Sequence, residues 1–598
     1  MNIIDNRVKA LRTLMKEKGI DMYYIPTSDY HDSEYVNPFF RGRAWMSGFT
    51  GSAGVMVVTQ EQAVVWSDGR YFIQAENQLK DTCIDFYRQG DPKFPTTPDY
   101  IVKNIKENGT LGFDGKVVST LFGESLETRL KHKNVTIKCD EDLLNVVWSD
   151  RPALPKEKMF ILDEKYSGES LASKVERVRK MMKAHKANKH VITTLDDIAW
   201  ILNLRGNDVV NNPVFLSYVM MDEENVYFYV DEEKINDEVD AYLKANHVCV
   251  KAYDAIYEDV KTFNSNDKVL LDKERVNYAL VSFISKDVEI VSAAAPSSLM
   301  KACKNDVEIE NMKIAHIKDG VALTKFMYWL KTNVGKIYMD EISAAEYLLN
   351  CRKEQEHFLD ESFSPIVGYN ANAAMMHYSA KPDNFSVIKP EGMLLVDSGG
   401  QYLEGTTDVT RTYGVGPVSE EWKKHFTLTL KGMIQLSKIK FLYGCTGINL
   451  DILARQPLWE CNIDYQCGTG HGVGFLLNVH EGPHGIRWRK ALNRKEDTIL
   501  QPGMVVSDEP GVYVKDSHGI RIENMIYVEK DEMNEYGQFL RFGTLTYSPI
   551  DLDLIDVKYL DDACREWLNN YHKDVYEKLS PALNEEEKAW LKQYTRAI

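Results

Sequence analysis

Between residues 393 and 523 the chain sets four carboxylates and one imidazole, each in a short context that reads as a strand or a tight loop. Met393-Leu394-Leu395-Val396 leads into Asp397, with Gly399 and Gly400 just beyond it. Asp408 lies in Thr407-Asp408-Val409-Thr410, Glu509 in SDEPG and Glu523 in GIRIEN. Such runs read as strands, and the glycines and Pro510-Gly511 between them read as turns. A hairpin through Gly399, Gly400 and Gly405 sets Asp397 and Asp408 on neighbouring strands. Glu509 and Glu523 repeat the arrangement around Pro510-Gly511 and His518-Gly519. On the strand carrying Glu523, alternation turns Ile520 and Ile522 to a core and Arg521 and Glu523 to a polar cleft. His471 sits in CGTGHGVG, where closely spaced glycines let backbone approach and present the imidazole. Taken singly, each residue reads as a turn former or a solvated side chain. Together, four hard oxygen donors and one nitrogen donor can hold two divalent cations side by side and activate water. The pattern predicts a hydrolase with a two-metal centre.

The rest of the chain limits the alternatives. Its 598 residues allow about four domains as a prior. The net charge of −17 argues against nucleic acid, which requires a basic footprint, and suits cationic or neutral substrates. Nine scattered cysteines without a Cys-x-x-Cys pair argue against a disulfide scaffold or a structural zinc site, so most are expected to be buried thiols in a reducing compartment. No apolar run approaches the roughly 18 residues of a membrane span. The start, MNIIDNRVKALRTLMKEKGID, is broken by charges and reads as an amphipathic helix ending near Gly19 rather than a secretory signal. A cytoplasmic protein without membrane partners is expected.

Three parts follow from pattern. The first alternates helix and strand, with DMYYIP as a strand and GVMVVT and AVVWSD as a hairpin. The glycine-rich GFTGSAG is a turn rather than a phosphate loop, because no Lys-Ser/Thr follows and a strand comes next. DRPALPKEK near residue 150 is a linker. The second part, from about 156 to about 300, repeats the order of helices and strands, which suggests a related fold, and SAAAPSSLMKACKN is its exit join. The third opens with the helix DVEIENMKIAHIKDGVALTKFMYWLKTN, becomes strand-rich, and ends in helices carrying Trp567, Leu568, Tyr571 and Val575, then Trp590, Leu591 and Tyr594. Ser580-Pro581 is expected to start and cap a helix.

The order Asp, Asp, His, Glu, Glu in LLVDSGG, TTDVTRT, GTGHGVG, SDEPG and GIRIEN resembles the pita-bread metallopeptidases. RGRAWMSGFTGSAG, WSDGRYFIQAE, LDDIAWILNLRGNDVVNNPVFLSY, HYSAKPDNF, NVHEGPHGIR and EWLNNYHKDVYEKLSPALN are similar to the long, three-domain aminopeptidase P type of that family, over nearly the whole chain. The resemblance implies an α/β (α+β) chain: two related creatinase-like α/β domains at 1–152 and 153–303, then a pita-bread catalytic domain at 304–598. The last includes a helical C-terminal extension, 550–598. It further implies that Asp397 chelates one metal, that Asp408 and Glu523 bridge both, and that His471 and Glu509 complete the second site. The ions would be two Mn2+, a preference the carboxylate-rich set shares, although zinc or cobalt can occupy such a site. The implied reaction is hydrolysis of the bond between an N-terminal residue and a following proline by a hydroxide activated at the dinuclear centre. Glu509 would take the proton from water, His377 and His480 would stabilise the tetrahedral intermediate and protonate the leaving nitrogen, and Arg521 would support them. Peptides with proline at the second position are the implied partners, and a homodimer the implied assembly.

One position departs from the family pattern. Cys467 stands where a histidine commonly precedes the metal-binding one, so proton shuttling or proline recognition could differ, and a thiol there could sensitise the enzyme to oxidation. It reads best as a tolerated change on the pocket wall. A prolidase cleaving Xaa-Pro dipeptides would share the five ligands but normally lack the duplicated N-terminal part. A non-catalytic binding module or a metal-free creatinase-like hydrolase would normally have lost ligands that are all present here.

Overall fold

A computed structural model describes residues 2–490 and 497–598, which form two compact units. The first comprises Met1–Ile161 with Glu169–Ser297, and the second Leu162–Gly168 with Ser298–Ile598.

The first unit contains two six-stranded sheets. In one the order is Asp85–Arg88, Ala63–Ser67, Val55–Thr59, Met22–Pro26, Thr110–Gly112 and Thr136–Lys138. In the other it is Val248–Ala252, Val226–Val230, Ser217–Asp222, Lys189–Ile192, Lys268–Leu271 and Glu289–Ser292. Both run parallel, antiparallel, antiparallel, parallel, parallel across successive neighbours. The repeated order of elements in the sequence is therefore one topology built twice. The opening helix Ile3–Glu17 buries Ile4, Val8, Leu11 and Met15 on one face, and the expected hairpin pairs Val55–Thr59 with Ala63–Ser67.

SAAAPSSLMKACKN contains the boundary between the two units, and within it Pro296 opens a helix to Ala302, since proline suits a first helical turn where no N–H partner is available. Three expectations require correction. Ser580-Pro581 starts only a short 3-10 turn, while the final helix Glu585–Tyr594 is capped by Asn584 with Glu587 in a capping box. IRIENMIYVE is two strands, His518–Arg521 and Asn524–Asn534, which lie in different sheets, so Glu523 occupies the break between them. Only Cys351 and Cys564 are buried; Cys83 and Cys249 are exposed and the other five thiols partly so. Cysteine is small enough to sit on loops and edge strands, as Cys249 does on Val248–Ala252.

In the second unit, Asn305 caps the helix Asp306–Asn333 through a reciprocal capping box with Glu308. Leu323, Phe326, Met327 and Leu330 of that helix cluster with Leu394, Val396, Val409 and Tyr413. These come from a three-stranded antiparallel sheet ordered Ile366–Tyr369, Met393–Ser398, Val409–Gly414. A six-stranded sheet runs Lys440–Leu442, Gly537–Thr544, Asn524–Asn534, Val505–Asp508, Gly470–Gly472, Glu481–Ile486. The helix Glu420–Ser437 buries Phe426, Leu430, Met433 and Ile434 in a cluster with Ile520, Ile522 and the C-terminal helix residues Leu568, Tyr571 and Val575. Among the described residues, no helix is long and apolar enough to cross a membrane.

Candidate metal centre

Each candidate ligand stands at the end of a strand or at a break in one. Asp397 is the fifth residue of Met393–Ser398 and pairs with Thr410, which places Asp408 just before the facing strand begins. The connection between them is more than a turn: Gly400–Tyr402 and Gly405–Thr406 form their own small hairpin, joined to Phe358–Glu361. Glu509 follows the strand Val505–Asp508, and Glu523 precedes Asn524 in the paired strand, where Asp508 faces Asn524. The ribbon Gly511–Val514 with His518–Arg521 spans the gap between the two glutamates, with Gly511 opposite Arg521.

His471 is aimed by a register shift between His471 and Gly472 against the strand Glu481–Ile486, the kind of irregularity that redirects a side chain beside a site. The glycines around it have a specific cause. A Cβ on Gly470 would collide with the Ser507 carbonyl, and one on Gly472 with the Glu481 carbonyl. The strand is flanked so closely on both sides that only glycine fits next to the imidazole.

The five predicted ligands converge. Ligand atoms of Asp408, His471 and Glu523 lie within 4.8 Å of one another. His471 Nε2 is 3.4 Å from both Asp408 Oδ2 and Glu509 Oε1. The Arg521 guanidinium pairs with Asp397 Oδ2, and its Nε is 4.0 Å from Glu509 Oε2. His480 packs its ring edge-on against His471, with centroids 4.4 Å apart. His377, half-buried, follows the short helix Asn370–Ala374, one residue before Tyr378, whose hydroxyl donates to the buried Glu341. That helix is close to the ribbon: a Cβ on Gly519 would meet the Ala373 carbonyl.

Three supporting residues were not anticipated. Thr410 Oγ1 donates to Glu523 Oε2 at 2.8 Å and accepts from Arg521 Nε at 3.1 Å. Ser507 Oγ accepts the His471 N–H at 2.9 Å and donates to Glu509 Oε1 at 3.1 Å. Tyr513 OH accepts from Arg521 at 2.8 Å. Thr410 and Ser507 each lie two residues from a predicted ligand, and continuing the period of two across the strand ends could have found them. Tyr513 depends on the ribbon register, which no local pattern fixes.

The electrostatics favour a cation. Burial raises the carboxyl of Glu523 well above its usual range, and Asp408, Glu509 and Asp397 push it further. Burial also raises Asp397 and Glu509, against opposing pulls from Arg521 on both and from His471 on Glu509. For His471, burial pulls the imidazole down, but Asp408 and Glu509 outweigh it and lift it to about 9. Asp397 Oδ1 and Glu523 Oε1 are buried without a hydrogen-bond donor. Buried anionic oxygens without donors are costly, and divalent ions held by hard oxygen ligands and one imidazole fit this set.

Cys467 does not take over an imidazole's role. It packs near Tyr465, Tyr513, Val512 and Leu458, and burial, followed by the Glu509 charge, pushes its thiol up to about 12.

Comparison with known proteins accounts for the whole chain. The model of metallopeptidase family M24 matches residues 310–530, and that of the family's C-terminal region matches 538–598. Models of the creatinase/prolidase N-terminal domain match 7–146 and 150–308. A protein of Tuber melanosporum named "Probable Xaa-Pro aminopeptidase P" is 40% identical, with 99% of each chain covered. One of Laccaria bicolor with the same name is 39% identical, covering 98% of this chain and 92% of its own length. The crystal structure of X-prolyl aminopeptidase from Caenorhabditis elegans, described as a cytosolic enzyme with a di-nuclear active site, superposes with a TM-score of 0.93 at 32% identity over 100% of both chains. The Xaa-Pro dipeptidase of Bacillus anthracis shares the fold over 64% of this chain and 99% of its own, with a TM-score of 0.51 at 22% identity. Full-length identity to these relatives, together with four carboxylates and an imidazole gathered in one buried site, makes this chain an enzyme of metallopeptidase family M24.

Proposed function

We propose that the chain is a metallo-aminopeptidase that releases the N-terminal residue from peptides with proline at the second position. The observation that carries this reading is the convergence of Asp397, Asp408, His471, Glu509 and Glu523 in a chain alike over its full length to proteins named for that activity. Those five residues would hold two divalent ions, Asp397 on one side, His471 and Glu509 on the other, with Asp408 and Glu523 shared. When bound, the ions would lower the pKa of water and polarise the scissile carbonyl. The oxygen-rich donor set favours manganese.

The chain's own groups divide the remaining work. Ser507 fixes one oxygen of Glu509 and leaves the carboxylate as the proton acceptor from water. Arg521, held by Tyr513 and Thr410, keeps Asp397 oriented. His480, lying against His471, and His377, on the loop pinned by Glu341, are the candidates to stabilise the developing oxyanion and return a proton to the leaving nitrogen. Proline has no amide N–H to donate, so a wall that selects it by shape need offer no acceptor there.

Domains at 1–152, 153–303 and 304–598, a homodimer, and a cytoplasmic location complete the reading. The family-model limits support the domains, and the cytosolic neighbour from C. elegans supports the location. Incubation of the manganese-loaded protein with Xaa-Pro-Yaa and Xaa-Pro, read by mass, tests the reaction. Cleavage of the tripeptide after its first residue is expected, and cleavage of the dipeptide alone would make the chain a prolidase.

A further inference from the structure

Glu523 is held by more than its carboxylate. Its N–H donates to the Thr410 carbonyl at 3.1 Å, its carbonyl accepts from Arg411 Nη1, and Oε2 accepts from Thr410 Oγ1. Thr410 and Arg411 thus grip the backbone and the side chain of the residue together. The Arg411 guanidinium is only 1% exposed, so water cannot serve its donors. Its Nε donates to the Pro549 carbonyl at 3.2 Å, and Nη1 also reaches the Thr410 carbonyl at 2.9 Å. Its Nη2 donates to Asn524 Oδ1 at 2.8 Å, the Ser548 carbonyl at 3.0 Å and Tyr571 OH at 2.9 Å. The Tyr571 hydroxyl in turn accepts the Ser548 N–H at 3.1 Å and donates to the carbonyl of Ser548 at 2.9 Å or of Thr546 at 3.2 Å. Tyr571 belongs to the helix Asp562–Leu579, where its ring stacks on Trp567 at 5.2 Å.

We infer that Arg411 and Tyr571 are positioning residues through which the C-terminal region, matched over 538–598, sets the place of Glu523 in the metal centre. A planar fork with several donors and no solvent transmits position in a way that an apolar contact cannot, because moving one acceptor leaves a buried N–H unpaired. The C-terminal helix is therefore part of the site's outer support as well as part of the core. This inference rests on the reading of Glu523 as a metal ligand.

The test uses the full chain, stripped with chelator and titrated with Mn2+ by calorimetry, with the melting temperature recorded for each protein. Tyr571→Phe keeps the ring and its stacking while removing the hydroxyl, and about tenfold weaker binding of the Mn2+ pair that shares Glu523 is expected, the size usual for groups that orient metal ligands. Arg411→Lys keeps the charge without the fork, and a larger loss is expected. Leu579→Ala, in the apolar core at the far end of the same helix, should lower the melting temperature and leave Mn2+ affinity unchanged. Wild-type affinity in Tyr571→Phe, or an equal weakening in Leu579→Ala, overturns the inference alone. Failure of the wild-type chain to bind Mn2+ at all overturns the proposed function and this inference with it. If Arg411→Lys does not fold, the comparison of the other two variants still decides.

Discussion

Glu523→Gln should make the metal-free protein more stable while removing its ability to bind the metal pair. Glu523 is 1% exposed, its Oε1 has no donor, and Asp397, Asp408 and Glu509 surround it with like charge. A buried polar atom left without a partner costs about 1–3 kcal/mol. A glutamine amide of nearly the same shape keeps the acceptor facing Thr410 and turns a donor toward the neighbouring carboxylates. With an unfolding entropy of about 2.1 cal/mol/K per residue, a unit of about 300 residues gains roughly 2–5 °C in melting temperature from that amount. The sign with pH follows from the direction of the shift. A carboxyl whose folded pKa lies above its ordinary value of 4.5 costs no stability below that value and costs progressively more as pH rises toward the folded one. The gain from Glu523→Gln should therefore be present at pH 8 and shrink toward pH 5. Differential scanning calorimetry of the chelator-treated wild type and variant at both pH values measures it, and added Mn2+ should raise the melting temperature of the wild type much more than that of the variant. A metal-free variant that melts below metal-free wild type at pH 8 would refute the reasoning, because it would mean that Glu523 is satisfied without a cation.

Two further outcomes can be checked on the same protein. Glu481, next to His480, is buried between Lys304 and Lys301, whose side chains are 0% and 7% exposed; removing one partner of such a buried pair costs about 3–5 kcal/mol, so Glu481→Gln should lower the melting temperature by roughly 5–8 °C, and a change under about 1 °C would show that the lysines find other acceptors. The Cys467 thiol, pushed up to about 12, holds very little thiolate at pH 8, so iodoacetamide followed by peptide mass mapping should label the exposed Cys249 well before Cys467, and the reverse order would restore the idea of an oxidation-sensitive centre.

The legible parts of this chain were those where one local signal sufficed. The 28-residue helix Asp306–Asn333 and the doubled α/β pattern both follow from spacing that a reader can count. The failures share a cause. Ser580-Pro581 has the composition of a helix start, but the chain continues from the helix Asp562–Leu579 directly into a 3-10 turn, and the next cap falls to Asn584. The run IRIENMIYVE has unbroken strand character, yet it must leave the ribbon with Gly511–Val514 and join the sheet beside Val505–Asp508, which breaks it at Ile522-Glu523. Local propensity cannot report where a strand changes partners.

That break is also what makes the site possible. Had residues 518–534 run on as one strand, Arg521 and Glu523 would have shared one face at regular spacing, and Glu523 would have pointed along a single sheet. With the break, Arg521 closes the ribbon opposite Gly511, while Glu523 gives its N–H to Thr410 and its carbonyl to Arg411 instead of a continuing ladder. The Asp397 strand and the Glu523 junction are thereby tied through the same two residues, Thr410 and Arg411, the first facing Asp397 in register and the second facing Val396. Carboxylates that repel one another in a buried space stay together because backbone, hydroxyl and guanidinium bonds fix their positions. The metal-free site is for that reason organised and electrostatically unfavourable at once, a combination that divalent cations relieve.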